Sequence, residues 1–181
     1  VATAQTGTGK TLAFLLPLLE SLLANPAGKG VKALVMTPTR ELALQIEEAF
    51  AKLANGTGIR SAVAVGGLNE QRQLQTIRKG AHVLIATPGR LSDFLKRRLF
   101  NLNSTHILVL DEADRMLDMG FLPTIKQILA ALPMERQTML FSATIDPTVK
   151  NLIQAYTNNA ERVAIGSPTK PCEQVDLHVY E

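Results

Sequence analysis

Ile107-Leu108-Val109-Leu110-Asp111-Glu112-Ala113-Asp114 sets an unbroken apolar run directly against a cluster of acids. A short run without polar alternation reads as a strand covered on both faces, the pattern of a parallel sheet with helices above and below. Four more runs share it: Ala33-Leu34-Val35-Met36, Ala62-Val63-Ala64-Val65, Val83-Leu84-Ile85-Ala86 and Thr138-Met139-Leu140-Phe141. Amphipathic stretches lie between them. Leu12, Leu15, Leu16, Leu19, Leu22 and Leu23 read as one helical face, and Leu42, Ile46, Phe50 and Leu53 as a second. Ile125, Ile128, Leu129 and Leu132 form a third, started by Pro123 and stopped by Pro133. Asp146 followed by Pro147 reads as an N-cap and a first helical residue. Asn25-Pro26-Ala27-Gly28-Lys29-Gly30 reads as a surface loop. The alternation predicts an α/β fold: a parallel β-sheet core flanked by helices on both faces, with right-handed crossovers. Ligands of such sheets collect beyond the carboxyl ends of the strands, so the polar residues after each run should share one edge.

Composition bounds the reading. The chain has 181 residues, 46% of them apolar and 19% charged, which suits one globular domain with a substantial core. No stretch reaches the roughly 18 apolar residues of a membrane span. No secretory pattern opens the chain, and a cytoplasmic protein is expected. Cys172 is the one cysteine, which excludes an internal disulfide and a cysteine-built metal site and fits a reducing compartment. A net charge of +3 is compatible with a polyanionic partner but does not identify one. His82, His106 and His178 show no metal-ligand spacing.

Ala4-Gln5-Thr6-Gly7-Thr8-Gly9-Lys10-Thr11 runs straight into the first amphipathic stretch. It fits the phosphate-loop pattern G-x-x-x-x-G-K-[ST] except that Ala4 holds the first position. Gly7 and Gly9 allow a tight turn whose backbone N–H groups face an anion, and the helix N-terminus adds partial positive charge. Thr6, Gly7, Thr8, Gly9, Lys10 and Thr11 are therefore the candidate nucleotide cradle. Lys10 would reach the β- and γ-phosphates and Thr11 would offer a hydroxyl to Mg²⁺. A carboxylate at the tip of a buried strand beside such a loop is where the metal is held, so Asp111 joins Thr11 as a candidate ligand, through its water shell. Glu112 is the candidate general base for an attacking water. An acidic first helical turn, favoured by the helix dipole, is the plainer reading of the same acids.

Thr37-Pro38-Thr39-Arg40 and Thr87-Pro88-Gly89-Arg90 repeat the form T-P-x-R, each after an apolar run and each opening a helical stretch. Free N–H groups and an arginine there suit a phosphate oxygen, and two such sites on one edge would hold successive phosphates of a strand. Helix starts with locally paired arginines would look the same. Gly66-Gly67 would let a backbone pass close to a ligand. Six Phe, two Tyr and no Trp leave few stacking platforms, which favours a grip on the sugar-phosphate backbone with little sequence preference. Lys96-Arg97-Arg98 reads as a solvated helix end. Ser142 and Thr144, after the last run, offer hydroxyls that would bond the carboxylates.

Taken in order, Ala4 to Thr11, Pro38 to Gln45, Gly66-Gly67, Thr87 to Arg90, Asp111-Glu112-Ala113-Asp114, Arg115 to Phe121 and Ser142-Ala143-Thr144 resemble the first RecA-like domain of DEAD-box RNA helicases. Alanine at the first phosphate-loop position is itself similar to that family. The resemblance implies a RecA-like P-loop NTPase domain using ATP and Mg²⁺. It implies RNA as the polymer, held by Pro38, Thr39, Arg40, Gly67, Thr87, Pro88, Gly89 and Arg90. It also implies coupling of hydrolysis to strand separation through Ser142-Ala143-Thr144.

The chain opens on Val1 without an initiator Met and is expected to be a piece of a longer protein. Residues 1–170 would form the first RecA-like domain, without the adenine-recognising segment that the family carries upstream. Residues 171–181, with alternating Val175, Leu177 and Val179, would begin a linker to a second RecA-like domain bearing arginine fingers. An arginine finger is worth about 10³ to 10⁵ in rate. The piece alone is thus expected to bind nucleotide weakly, to hydrolyse it slowly and not to unwind RNA. A monomer is expected. The residues alone also leave open a DNA translocase, a small-molecule kinase or switch NTPase, and a nucleotide-dependent interaction module.

Overall fold

A computed structural model of the chain describes residues 1–3, 9–25, 28, 30–157 and 159–164. The strands are β1 (Ala2–Thr3), β2 (Ala33–Met36), β3 (Ser61–Ala64), β4 (Val83–Ala86), β5 (Ile107–Leu110), β6 (Gln137–Ser142) and β7 (Val163–Ala164). The helices are α1 (Lys10–Ala24), α2 (Arg40–Leu53), α3 (Glu70–Arg78), α4 (Pro88–Lys96), α5 (Ala113–Asp118), α6 (Leu122–Ala130) and α7 (Pro147–Tyr156). The strands join in one sheet of order β3-β4-β2-β5-β6-β1-β7, and every described pairing is parallel. This is the expected α/β architecture, and strand order decides what stands next to what along its edge.

Side chains alternate across the pleat, so each central strand feeds two cores. Leu34, Met36, Leu84, Ala86, Leu108 and Leu110 pack with residues of α3 to α7 on one face. Ala33, Val35, Val83, Ile85, Ile107 and Val109 pack with α1 and α2 on the other. β2, β4 and β5 are buried at every position, as their unbroken apolar runs require.

Three expectations change in detail. β3 is the sheet's edge among the described residues and only half-covered, with a described strand on one flank alone. It ends at Ala64, one residue before the predicted run does. In α1 the buried face is Phe14, Leu15, Leu18, Leu19 and Leu22, whereas Leu12, Leu16 and Leu23 are 49%, 52% and 46% exposed. A helix with leucine nearly all round carries two possible stripes. Phe14 decides between them by packing its ring at a tilt against Phe141 of β6, ring centroids 5.3 Å apart. The short strands β1 and β7 add a third difference, since two-residue pairings leave no periodic signal. Asp146 caps α7 as expected, its carboxylate accepting from the Val149 N–H at 2.7 Å. No helix among the described residues is long and apolar enough to cross a membrane. Residues 165–181, including Cys172 and the predicted linker, lie outside the described residues.

Candidate functional site

Because the strands are parallel, every polar segment following a strand emerges at the same edge. The strand order then sorts these segments into two groups. β1, β6 and β5 bring Gly9-Lys10-Thr11, Ser142-Thr144 and Asp111-Glu112 side by side. β3, β4 and β2 bring Gly66-Gly67, Thr87 to Arg90 and Thr37 to Arg40 together.

In the first group, Gly9 turns the chain into α1 at φ +78, a left-handed conformation that favours glycine. Lys10 and Thr11 are the first helical residues. Gly9 at the N-cap has no side chain to cap this helix and no acid sits in its first turn, and a helix N-terminus of this kind favours an anion. Thr6, Gly7 and Thr8 lie outside the described residues. The tips of β1 and β5 stand two strand spacings apart, about 10 Å. Asp111 is buried, and burial pushes its carboxyl up to about 6. The Lys10 ammonium opposes that rise, while the Glu112 and Asp114 charges add to it. The Glu112 N–H donates to Asp111 Oδ1 at 3.1 Å, a partial compensation.

Glu112 itself sits at φ 52, ψ 52, a left-handed conformation that a side chain rarely adopts, and it starts α5. Such a backbone costs on the order of 1–2 kcal/mol. Its Oε2 accepts from Arg115 Nη1 at 3.0 Å.

Asp114 ties this strand tip to the next. Its Oδ2 accepts from the Ala143 N–H at 3.0 Å, the Thr144 N–H at 2.8 Å and the Thr144 hydroxyl at 3.0 Å. The buried Ser142 hydroxyl accepts from the Asp114 N–H at 3.2 Å and donates to the Thr144 carbonyl at 2.7 Å. Burial alone would raise the Asp114 carboxyl, but the bonds from Thr144, Arg115 and Ser142 outweigh it and hold the group below its ordinary value. The hydroxyls of Ser142 and Thr144 thus engage Asp114, not Asp111 or Glu112.

The second group lines a shallow cleft of about 450 Å³ that includes Pro38, Arg40, Gly66, Gly67, Thr87, Gly89, Arg90 and Phe121. Thr39 caps α2, its hydroxyl accepting from the Leu42 N–H at 3.3 Å. Thr87 precedes α4, whose first residue is Pro88, and makes no capping bond of its own. Arg40 is exposed, hydrogen-bonded to Glu41 and poised over Gly67. Arg90 is more enclosed: Nη1 donates to Glu70 Oε2 at 3.0 Å, and the guanidinium lies 5.4 Å from the Phe94 ring centre. Glu70 also takes two bonds from Arg97, which in turn pairs with Asp93. Arg97's hydrogen bond is the main cause holding the Glu70 carboxyl below its ordinary range.

Sequence reasoning missed Glu70, Gln73 and Phe94, and it gave Phe121 no place in the cleft. For Glu70 a signal existed: Asn69 followed by an acid is a helix start, and the structure shows Asn69 capping α3 through the Arg72 N–H. Gln73 and Phe121 reach the site only through the fold. Arg97, read as solvated, belongs to the ionic cluster beside the cleft. Among the described residues no three metal-ligating side chains gather, so a divalent ion at Asp111 would draw its remaining ligands from Thr11, water and phosphate.

The family model described as DEAD/DEAH box helicase matches residues 1–152. The DEAD-box ATP-dependent RNA helicase CshA of Bacillus licheniformis is 42% identical over 184 residues, covering 100% of this chain and 37% of that protein. The probable ATP-dependent RNA helicase DDX47 of Homo sapiens is 44% identical over 179 residues, covering 98% of this chain and 39% of that protein. A crystal structure of a DEAD box protein from the hyperthermophile Methanococcus jannaschii superposes with a TM-score of 0.84 at 35% identity, over 90% of this chain and 44% of that one. The chain thus spans less than half the length of these relatives.

Proposed function

The chain belongs to the DEAD/DEAH box helicase family and has its RecA-like fold, and from that premise we propose that it is the ATP-binding core domain of an RNA-stimulated ATPase. In this reading Thr6 to Thr11 cradle the triphosphate and Lys10 neutralises its outer phosphates. Thr11 and Asp111 hold Mg²⁺. Bound there, the ion would supply charge to the phosphate oxygens. A buried carboxylate with too little compensating charge is a fitting place for a cation, which is how Asp111 stands. Glu112, on its strained turn, orients and deprotonates the lytic water.

The cleft residues Pro38, Arg40, Gly67, Thr87, Gly89 and Arg90, with Thr39 and Pro88 beside them, take the RNA backbone, with little preference among bases. Ser142 and Thr144, fastened to Asp114, link the two halves of the cycle. A second RecA-like domain of the same polypeptide would supply the arginine that completes the hydrolytic site. The protein acts as a monomer in this reading. Its one cysteine fits the reducing cytoplasm.

The observation that supports the proposal is the strand order β5-β6-β1, which sets Lys10 and Asp111 on either side of the β6 tip, with the Lys10 charge acting on the buried Asp111 carboxyl. The test is the ATPase rate of the intact protein with RNA, with DNA of the same sequence, or with neither. Stimulation by RNA alone is the expected result, lost in Lys10→Ala. Equal stimulation by DNA would favour a DNA translocase, and no stimulation by either would remove the motor reading.

A further inference from the structure

We propose that Gln73 is a positioning residue for polymer binding, its buried amide holding the turn that presents Gly66 and Gly67 to the cleft. The inference rests on the reading of that cleft as the RNA site.

Gln73 lies on α3, outside every motif described above, and is only 5% exposed. Its amide makes three bonds. Oε1 accepts from the Val65 N–H at 2.8 Å, and Nε2 donates to the Val65 carbonyl at 3.1 Å and the Leu68 carbonyl at 3.2 Å. The need for them follows from the fold. β3 pairs with β4 as far as Ala64, whose carbonyl accepts from the Thr87 N–H at 3.0 Å. There β4 ends and the chain turns into α4, so Val65 has no further strand beside it. A buried N–H and C=O left unpaired would be costly. The Gln73 amide replaces the missing strand, offering one acceptor and one donor to Val65. Its second N–H closes the turn at Leu68. The orientation of the amide is fixed by its partners, because the reverse placement would set an oxygen against two carbonyls.

What this turn presents is Gly67 at φ +76, beneath Arg40. A Cβ on Gly67 would stand 2.8 Å from Arg40 Nη1. The amide thus holds the turn from its inner side, while the Arg40 guanidinium lies close over Gly67 on the outer side.

The test compares Gln73→Met, which keeps the buried volume and removes the amide, with wild type in the intact protein. Binding of fluorescent oligouridylate, binding of a fluorescent ADP analogue, RNA-stimulated ATPase and melting temperature are measured on both. The expected result is a loss of RNA affinity and a rise in the RNA KM of about tenfold, the effect of losing one well-placed interaction. Nucleotide affinity and kcat at saturating RNA should stay within twofold. A packing role alone would move the melting temperature and leave the RNA KM in place. Gly67→Ala is the second variant, since it disturbs the same turn from the cleft side. If Gln73 acts through the turn, Gly67→Ala combined with Gln73→Met binds RNA no worse than the weaker single variant. RNA affinity unchanged in Gln73→Met, or RNA and nucleotide affinity lost together, would overturn the inference while leaving the RNA reading intact. A wild-type protein that binds no oligouridylate would remove both.

Discussion

Asp114 Oδ2 receives two hydrogen bonds from Thr144, one from its backbone N–H at 2.8 Å and one from its hydroxyl at 3.0 Å. Only the second depends on the side chain. Thr144→Val should therefore weaken the junction between α5 and the β6 tip without abolishing it, costing about 1 kcal/mol in urea unfolding. The Asp114 carboxyl, held below its ordinary 3.8, contributes stability that is present above that value and lost as pH falls below it. The variant should accordingly unfold at a higher pH on acidification. In the intact protein duplex separation should drop severalfold more than ATP turnover. Equal loss of both would refute a coupling role for this contact.

Asp111 predicts the opposite slope. Its carboxyl is raised to about 6 in the folded chain against an ordinary value of 3.8. Its contribution is therefore complete below pH 3.8 and declines as pH rises through about 6. With a chelator present, wild type should lose stability between pH 5 and pH 8 by an amount on the order of 1–3 kcal/mol. Asp111→Asn should abolish that slope. A variant that tracks wild type across the range would show that Asp111 is not the titrating group.

Strain and chemistry separate at Glu112. Glu112→Gln keeps the left-handed backbone and should leave stability unchanged while blocking turnover. Glu112→Gly should block turnover equally but gain up to about 1 kcal/mol, because glycine adopts this φ freely. Denaturant titration beside single-turnover hydrolysis distinguishes the two. Normal hydrolysis by Glu112→Gln would remove the general-base assignment.

Thr37 is fully buried, and its Oγ1 finds no hydrogen-bond partner among the described residues. Replacing it with valine preserves the shape and removes the unpaired hydroxyl. Thr37→Val should raise stability by about 1 kcal/mol. A loss of similar size would indicate an ordered water at that hydroxyl.

The sheet was legible because its central strands advertise themselves. β2, β4 and β5 are apolar throughout, and being covered on both faces they had no freedom to be anything else. The segments after β2, β4 and β5 were legible for a related reason, since each directly follows such a strand, whereas the phosphate loop was legible from its own Gly-Lys-Thr pattern. The ionic cluster of Glu70, Arg90, Arg97 and Asp93 was not, because its members come from two helices brought together only by the packing of α3 and α4. The same is true of Gln73, whose partner Val65 is set by where β4 happens to end. The outward leucines of α1 show the limit of periodicity, since the sequence offered two stripes and an aromatic contact with a distant strand chose one.

The position of β1 has a consequence for how the chain assembles. The earliest of the described strands, it pairs with β6 and β7, the latest of them. β2, β3, β4 and β5 need nothing beyond Leu110 to find one another. At translation speeds of roughly 5–20 residues per second, the half-sheet that carries the cleft has its strands ready seconds before the first strand gains a partner. The half-sheet that carries the cleft can thus form before the segment after β1 gains its place beside β6.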